Sequence, residues 1–540
     1  MTTPRIDLFW LGNNQPPVSW PVGETICADL TIRGLVEACR ARLPQSNADA
    51  WLLWDAALGQ PNLDIIQNVY ALPGNLWHAG LKMAMTGKPG LLDFLKPTWM
   101  LNRDPPAHIE ATSWRLSLRA CLIQTDVLRQ MGLPSAEFES LDGASLEYGY
   151  RCITQGVITR HIPALVDNLT AKSDLTLADE FRFIRAHFSR QWRWWALQRA
   201  VMTGYAPPLS LLSAWRKSET VSTTHSPVYQ HPESEALSAA SKARVSVLIP
   251  TLDRYAYLRA LLPMLRQQTI PPLEIIIVDQ TEAAQRDTRL EADFPDLPIK
   301  LITLDEAGQC VSRNAGLKEA NGDYILFIDD DDEIQVDLIE QHLALLEKFR
   351  TPVSNGTAYE TGTAEYPSSF TITRVSDVFP TNNTLIEKSV LHGSGLFDLA
   401  YNRMARADGD LGMRVYLSGA LMMYSPDISL IHHHAPRGGL RAHKARVITY
   451  SSSRHNLRHR QIISPSEIYL NRRYFTDRQV REAMTLSALG TFSIRGNAVR
   501  RLAKVGLGLI YLPNTLWRIR KNSRQADDML KTYPQIPELN

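Results

Sequence analysis

Cysteine is scarce in this chain: five in 540 residues, namely Cys27, Cys39, Cys121, Cys152 and Cys310, with no CxxC pair among them. That usage excludes a disulfide framework and a thiolate zinc site, and it reads as reduced thiols in a cytoplasm. Long apolar runs are also missing. The longest late stretch, around Val505–Trp517, is interrupted and too short to span a bilayer. The opening Met-Thr-Thr-Pro-Arg-Ile-Asp does not have the pattern of a secretory signal. Net charge is nearly absent, 58 Lys and Arg against 56 Asp and Glu, and the 44% hydrophobic and 21% charged fractions are those of a soluble globular protein. Charge is nevertheless unevenly spread: residues 436–524 hold 19 Lys and Arg against 3 Asp and Glu.

What is present is length enough for two or three domains. Lys217–Ala243 is rich in Ser, Thr, Glu and His without an apolar period, and reads as a linker. Beyond it, buried-type strands alternate with helical spacing. Strands are expected at Val245–Pro250, Leu273–Asp279, Ile299–Leu304 and Tyr324–Asp329, with helices at Tyr257–Gln268 and Val311–Ala320. This alternation predicts an α/β fold with a mostly parallel sheet, whose ligands sit at the carboxyl ends of the strands. Thr251, Asp253, Asp279 and Asp329–Asp332 all fall at those ends.

The fourth strand runs directly into Asp329-Asp330-Asp331-Asp332-Glu333. Adjacent carboxylates repel unless a cation sits among them, and hard oxygen ligands suit Mg²⁺ or Mn²⁺. The competing structural reading is a solvated acidic turn. A repeat weighs on the choice. Leu122, Ile123, Val127, Leu128, Gly132, Gly149, Arg151, Gly156 and Pro163 recur 263 residues later without a gap, and Asp49–Asp55 matches Asp323–Asp329 at an offset of 274.

Val247–Arg254 (Val-Leu-Ile-Pro-Thr-Leu-Asp-Arg), Ile277–Gln280, Gly308–Gly316 and Phe327–Glu333 come in that order, followed by Ala407–Arg414 and Ser429–His434. Together they resemble family 2 glycosyltransferases of the GT-A, Rossmann-like fold, over about residues 244–434. The resemblance implies that Pro250, Thr251, Asp253 and Asp279 lie against a nucleoside, with Asp279 accepting the imide N–H of a uracil or thymine base. It implies phosphate binding by Arg313 and the helix start at Ser312-Arg313-Asn314. It implies a DxD motif read as Asp329-x-Asp331. One of these carboxylates faces the ribose and the other a divalent metal, Mn²⁺ or Mg²⁺, which has His432 as a further ligand and His434 as substitute. The roles of Asp330 and Asp332 stay open, with Asp330 placed on the donor side. Inverting transfer needs a base. The family's Glu-Asp pair reads Ala407-Asp408 here, so Asp408 is the expected base and Asp410 the runner-up. The structural alternatives are N-caps for Asp279 and Asp408, a salt bridge for Arg313 and a solvated His triplet. Arg437 and Arg441 are candidates to grip a phosphate.

In the first half the acids are mostly gone: Asp330, Asp331, Asp408 and His432 correspond to Ala56, Ala57, Ser145 and Leu169, and only Asp329 keeps an acid, Asp55. The span from the first strand to that acid is shorter by about one strand–helix unit, which would remove the nucleoside-holding part. The expected organisation is a degenerate GT-A-like domain (1–170), a helical extension (171–216), the linker (217–243), the catalytic GT-A domain (244–435) and a basic, mostly helical region (436–540). Ala178–Met202 is expected to be helical. It interleaves aromatic residues with arginines, as does the C-terminal region, which suits either domain packing or an anionic bilayer surface. No nucleic-acid motif accompanies them.

The expected activity is inverting, metal-dependent transfer from a UDP- or dTDP-sugar to a surface polysaccharide or lipid-linked glycan. The expected place is the cytoplasm, at the inner face of the cell membrane. A processive synthase is not expected, since no Gln-x-x-Arg-Trp motif and no set of membrane helices follow the domain. The alternatives are a nucleotidyltransferase on a related fold and a non-catalytic scaffold with two GT-A-like halves.

Overall fold

The structure, a computed structural model, describes residues 3–17, 19–79, 90–166, 173–220, 227–232, 242–360, 368–435, 449–451 and 453–539. The chain divides into two units. The first comprises Met1–Glu235 with Thr371–Val375 and Tyr416–Leu421; the second comprises Ala236–Phe370, Ser376–Val415 and Met422–Asn540. The first break falls inside the stretch read as a linker, but part of that stretch is built. Lys217 closes the helix Pro208–Lys217, and Tyr229 is buried with its N–H on the Gln155 carbonyl at 2.8 Å.

The first unit holds a seven-stranded sheet made of β1 (Ile6–Leu11), β2 (Thr25–Ala28), β3 (Ala50–Asp55), β4 (Leu76–His78), β5 (Ala111–Thr112), β6 (Ala120–Gln124) and β7 (Thr159–His161), in the order β2-β1-β3-β6-β4-β7-β5. β1 and β3 are buried along their whole lengths, which explains their continuous apolar runs.

The second unit is built on β8 (Val245–Thr251), β9 (Glu274–Asp279), β10 (Ile299–Thr303), β11 (Tyr324–Phe327), β12 (Asp332–Ile334), β13 (Val353–Glu360), β15 (Thr384–Glu387) and β16 (Met422–His432). The two-residue strand β14 (Arg374–Val375) lies in a stretch that clusters with the first unit. The order is β10-β9-β8-β11-β15-β13-β16-β12. The α/β class is as expected, and the sheet is mixed, with β13 and β16 also pairing parallel. β10, β9, β8 and β11 are parallel, whereas β15 runs antiparallel to both β11 and β13, and β12 antiparallel to β16. Strand–helix–strand crossovers enforce the parallel half, while β15 follows β13 as its direct neighbour and needs no crossover. β11 ends at Phe327, so Asp329–Asp331 stand between two ladders and Asp332 opens the next strand, β12.

The two sheets repeat one another. β2-β1-β3-β6-β4-β7 and β9-β8-β11-β15-β13-β16 have the same run of parallel and antiparallel neighbours. Register repeats too: Trp51 faces Ile123 as Ile325 faces Ile386, at the offsets seen in the sequence. Arg151 bonds Glu147 and the Met131 carbonyl; Arg414 bonds Asp410 and the Ser394 carbonyl. Gly132 and Gly395 follow matching helices at φ 74° and 73°, a left-handed backbone that favours glycine.

The shorter span in the first unit has a different cause from the one expected. The strand beside β1 is kept as β2, and Asp29 follows it at the register of Asp279. What the first sheet lacks, among the described residues, is a counterpart of β10 and of the helix Tyr255–Arg266.

Ala178–Met202 is two helices, Leu177–His187 and Arg190–Met202, broken where Phe188 turns extended at φ −125° and ψ 154°. Most of its aromatic and arginine pattern serves packing. Phe181 and Phe183 are buried, Arg182 pairs with Asp179 and Glu139, and Arg193 lies over the Trp215 ring at 3.7 Å. The C-terminal region forms the hairpin β17 (Thr449–Ser451) and β18 (Gln461–Ile463), then helices Pro465–Tyr474, Asp477–Gly490 and Ala498–Thr532. Among the described residues no helix is long and apolar enough to cross a membrane.

Candidate active site

The site is assembled at the carboxyl ends of β8, β9 and β11 by short-range pairing. Thr251 is the ladder partner of Asp279, and its hydroxyl donates to Asp330 Oδ2 at 2.8 Å. Just past β8, Asp253 is exposed at φ 56°, and its N–H donates to Thr281 Oγ1 at 3.0 Å. Pro250 is half-buried within β8. Asp279 is buried, with Oδ2 accepting from the Tyr255 hydroxyl at 2.6 Å and Oδ1 from the Thr281 N–H at 2.9 Å. It therefore caps its own turn, and a base edge would displace Tyr255 to reach Oδ2.

The four aspartates are held by Arg313, Arg254, the Ala435 N–H and His432, with Arg254 shared by Asp330 and Asp331. Asp329 accepts from Arg313 at 2.8 Å. Asp330 is buried and accepts from Arg254 Nη1 at 3.0 Å. Burial pushes the Asp330 carboxyl up to about 7, against the pull of Arg254. Asp331 accepts the Ala435 N–H on Oδ2 at 2.7 Å, and Arg254 Nη1 lies 3.2 Å from the same oxygen. Asp332 is the antiparallel ladder partner of His432, and its Oδ1 lies 2.8 Å from His432 Nδ1. Facing side chains on such a pair lie within reach of one another, which brings residues 100 apart in sequence into contact. Burial drives Asp332 upward. For His432 burial works toward the neutral form, but the hydrogen bond to Asp332 and the charges of Asp332, Asp329 and Asp331 together raise the imidazole.

These contacts leave one oxygen without a partner. Asp331 Oδ1 is buried and has no hydrogen-bond partner among the described residues; it lies 3.6 Å from His432 Nδ1. Ligand atoms of Asp329, Asp331 and His432 lie within 4.8 Å of one another. An orphaned carboxylate oxygen beside a second carboxylate and an imidazole fits a small divalent cation such as Mn²⁺ or Mg²⁺. His434 is outside this group: its ring lies edge-on to that of His432 at 4.4 Å and its Nε2 is 3.3 Å from Glu360.

The helix expected to aim N–H groups at phosphate begins earlier, at Gln309, and its first amides are already bonded. Cys310 and Val311 both donate to Asn402 Oδ1 at 3.1 Å. Gly308 permits this, since a Cβ there would lie 2.1 Å from the Asn402 side chain. Arg313 makes the salt bridge to Asp329 that the structural alternative foresaw, while its buried Nε has no partner among the described residues. Asp408 is exposed in the first turn of the helix Ala407–Leu417 and accepts the Gly409 N–H at 2.7 Å. Asp410 is fully buried between Arg414 (2.8 Å) and the Tyr474 hydroxyl (2.7 Å), which removes it as an acceptor base. Arg437 and Arg441 lie outside the described residues.

The sequence reading missed Tyr255, Asn402 and Gln280, whose Oε1 accepts the Gly308 N–H at 2.6 Å. Of these, only Gln280 fell inside a motif. The counterpart site in the first unit is closed: Asp55 accepts from Arg119 at 3.0 Å, and Arg119 also reaches Asp142 and Asp174. Ser145, at the position of Asp408, is buried and donates to the Leu141 carbonyl. Leu169, at the position of His432, lies outside the described residues.

An Asp-Asp-His group at the carboxyl end of buried parallel strands is a place where a divalent cation can be held. Residues 246–408 match the family model Glycosyl transferase family 2, so the second unit carries a domain of that family. The chain is 42% identical over 90 residues to an uncharacterized glycosyltransferase, YwdF, of Bacillus subtilis, covering 16% of this chain and 33% of that protein. It is 29% identical over 114 residues to the poly(ribitol-phosphate) β-N-acetylglucosaminyltransferase TarS of Staphylococcus aureus (20% of each chain). It is 34% identical over 111 residues to the amylovoran biosynthesis glycosyltransferase AmsB of Erwinia amylovora (19% of this chain, 36% of that one). These matches span about a third or less of the relatives' own lengths. Among solved structures, S. aureus TarS 1–349 in complex with UDP-GlcNAc aligns with a TM-score of 0.36 at 16% identity, covering 54% of this chain and 92% of that one.

Proposed function

We propose that the second unit is an inverting glycosyltransferase that takes a sugar from a nucleoside diphosphate, UDP or dTDP, and delivers it to a polysaccharide or lipid-linked glycan. The observation that carries this reading is the Asp329, Asp331 and His432 group with its orphaned oxygen, set beside Asp279 inside a family 2 domain. Asp279 accepts the imide N–H of the base once Tyr255 yields Oδ2, and Thr251 and Asp253 line the nucleoside. Asp329, Asp331 and His432 would hold Mn²⁺ or Mg²⁺, which when bound offsets the charge of the leaving diphosphate. Asp330 anchors Arg254 and thereby keeps a guanidinium beside the acids. Asp408, the exposed carboxylate of its helix, takes the proton of the acceptor hydroxyl as it attacks the sugar from the face opposite the leaving group.

The acceptor class draws support from relatives whose names concern poly(ribitol-phosphate) and amylovoran biosynthesis. Such an acceptor would place the protein at the cytoplasmic face of a membrane. We further propose that the first unit is a degenerate copy that binds neither donor nor metal, because Arg119 holds its remaining acid. The experiment that tests the whole reading is release of sugar from a panel of nucleotide sugars by the full chain, with Mn²⁺, with Mg²⁺ and with a chelator. Metal-dependent turnover of one UDP- or dTDP-sugar is expected; no turnover of any donor, with full biological activity retained by both Asp331→Asn and Asp408→Asn, would instead mark a scaffold.

A further inference from the structure

Over residues 499–517 the helix Ala498–Thr532 turns most of its large apolar residues outward, while further on it buries Ile519, Ala526 and Met529. Leu502 is 76% exposed, Ile510 72% and Trp517 59%, and Val505, Leu509 and Leu516 are exposed with them. The buried face carries Lys504, Gly508 and Thr515 instead, with the Lys504 ammonium donating to the Leu457 and His459 carbonyls. At 3.6 residues per turn the exposed apolar positions from Val499 to Trp517 fall within an arc of about 140°, and no charged residue enters it. That stripe is about 30 Å long. An exposed apolar surface of this extent marks a contact with something outside the chain.

The charge around the stripe says what. From Arg495 to Arg524 there are eight Lys and Arg and no Asp or Glu. Arg454 and Arg458 add exposed cations on the segment whose Arg454 carbonyl accepts the Arg495 N–H. At the far end the Lys521 ammonium lies 5.7 Å from the Trp517 ring. Two copies of this chain packed through the stripe would bring two rows of cations together. An anionic bilayer instead pairs the cations with headgroup phosphates while the apolar stripe enters the acyl boundary. We propose that the outward face of Ala498–Trp517 is the surface by which this protein docks on an anionic lipid bilayer, lying in the plane of the interface. The proposal does not depend on the transferase reading, since docking needs no donor, metal or base.

The test is flotation of the full chain with vesicles of phosphatidylcholine alone or with a quarter phosphatidylglycerol, at low and high salt. Binding to the anionic vesicles is expected to be roughly tenfold or more tighter than to the neutral ones, and to weaken with salt. Leu502→Glu with Leu509→Glu, both exposed positions, should abolish it while leaving circular dichroism and sugar-nucleotide turnover unchanged. Arg520→Gln with Lys521→Gln should lower only the anionic preference. Equal binding by the Leu502→Glu/Leu509→Glu variant and the parent would overturn the proposal. So would an absence of vesicle binding coupled to a self-association that the same substitutions abolish, which would assign the face to a second copy.

Discussion

Asp331 Oδ1 lies 3.6 Å from His432 Nδ1 at the end of the second sheet, and no described residue hydrogen-bonds that oxygen. A buried carboxylate oxygen in that state is costly unless a ligand completes it. Calorimetric titration of the full chain with Mn²⁺ should therefore give one site per chain, not two, because Asp55 in the other unit is held by Arg119. Asp331→Asn should remove that signal, and Asp332→Asn, which deprives the His432 ring of its carboxylate, should weaken it about 10–100-fold. A second, equal site surviving in Asp331→Asn would contradict the closed state of the first copy.

Asp408 and Asp410 stand two residues apart on one helix and should separate cleanly on substitution. Asp408→Asn should abolish glycosyl transfer and leave Mn²⁺ binding and the melting temperature unchanged, since the side chain is exposed. Asp410→Asn leaves the buried Arg414 short of its counter-charge, a defect worth about 3–5 kcal/mol. Its signature would be a lowered melting temperature, read by calorimetry. Normal stability in that variant would mean that the Arg414 pair is not what holds this helix.

Tyr255 closes Asp279, so its removal should help a nucleotide rather than hurt it. Tyr255→Phe is expected to keep or tighten UDP binding by up to about 1 kcal/mol, because Oδ2 is released before the base arrives. Asp279→Ala should weaken it by about 1–3 kcal/mol. Isothermal titration with UDP decides between this order and its reverse, in which Tyr255 itself binds the base.

Glu180 in the first unit is half-buried, its carboxylate accepting from the Leu91 N–H and the Tyr205 hydroxyl, and loss of solvent pushes it up to about 7. The folded state thus holds this proton more tightly than the unfolded one. The stabilisation is full below the ordinary glutamate range and declines as pH rises through about 7. Glu180→Gln should raise the unfolding free energy read from urea titration at pH 8, by an amount on the order of 1–3 kcal/mol, and change it little at pH 4. An equal effect at both pH values would show that the fold does not penalise the charged carboxylate.

Much of this could be read from residues with narrow tolerances. Gly132 and Gly395 recur because both end a helix in a left-handed turn, and Arg151 and Arg414 because both reach an acid one turn back and the carbonyl just before that glycine. The strand ends that place Asp279 and Asp329 were visible for a similar reason, since buried parallel strands leave continuous apolar runs. Long-range partners were not visible. Asp410 looks like an accessible acid until Tyr474 closes over it from 64 residues away. Asn402 silences the amides of a helix 91 residues before it, and the break at Phe188 falls in a run with no proline or glycine to announce it.

Arg119 bridges Asp55, Asp142 and Asp174 where the other copy gathers its acids around an orphaned oxygen. A guanidinium tethered to the backbone cannot be stripped by a chelator or exchanged for another ion. Depletion of divalent ions should therefore loosen one half of the molecule and leave the other as it was, so that a chelator becomes a reagent for melting the two halves apart.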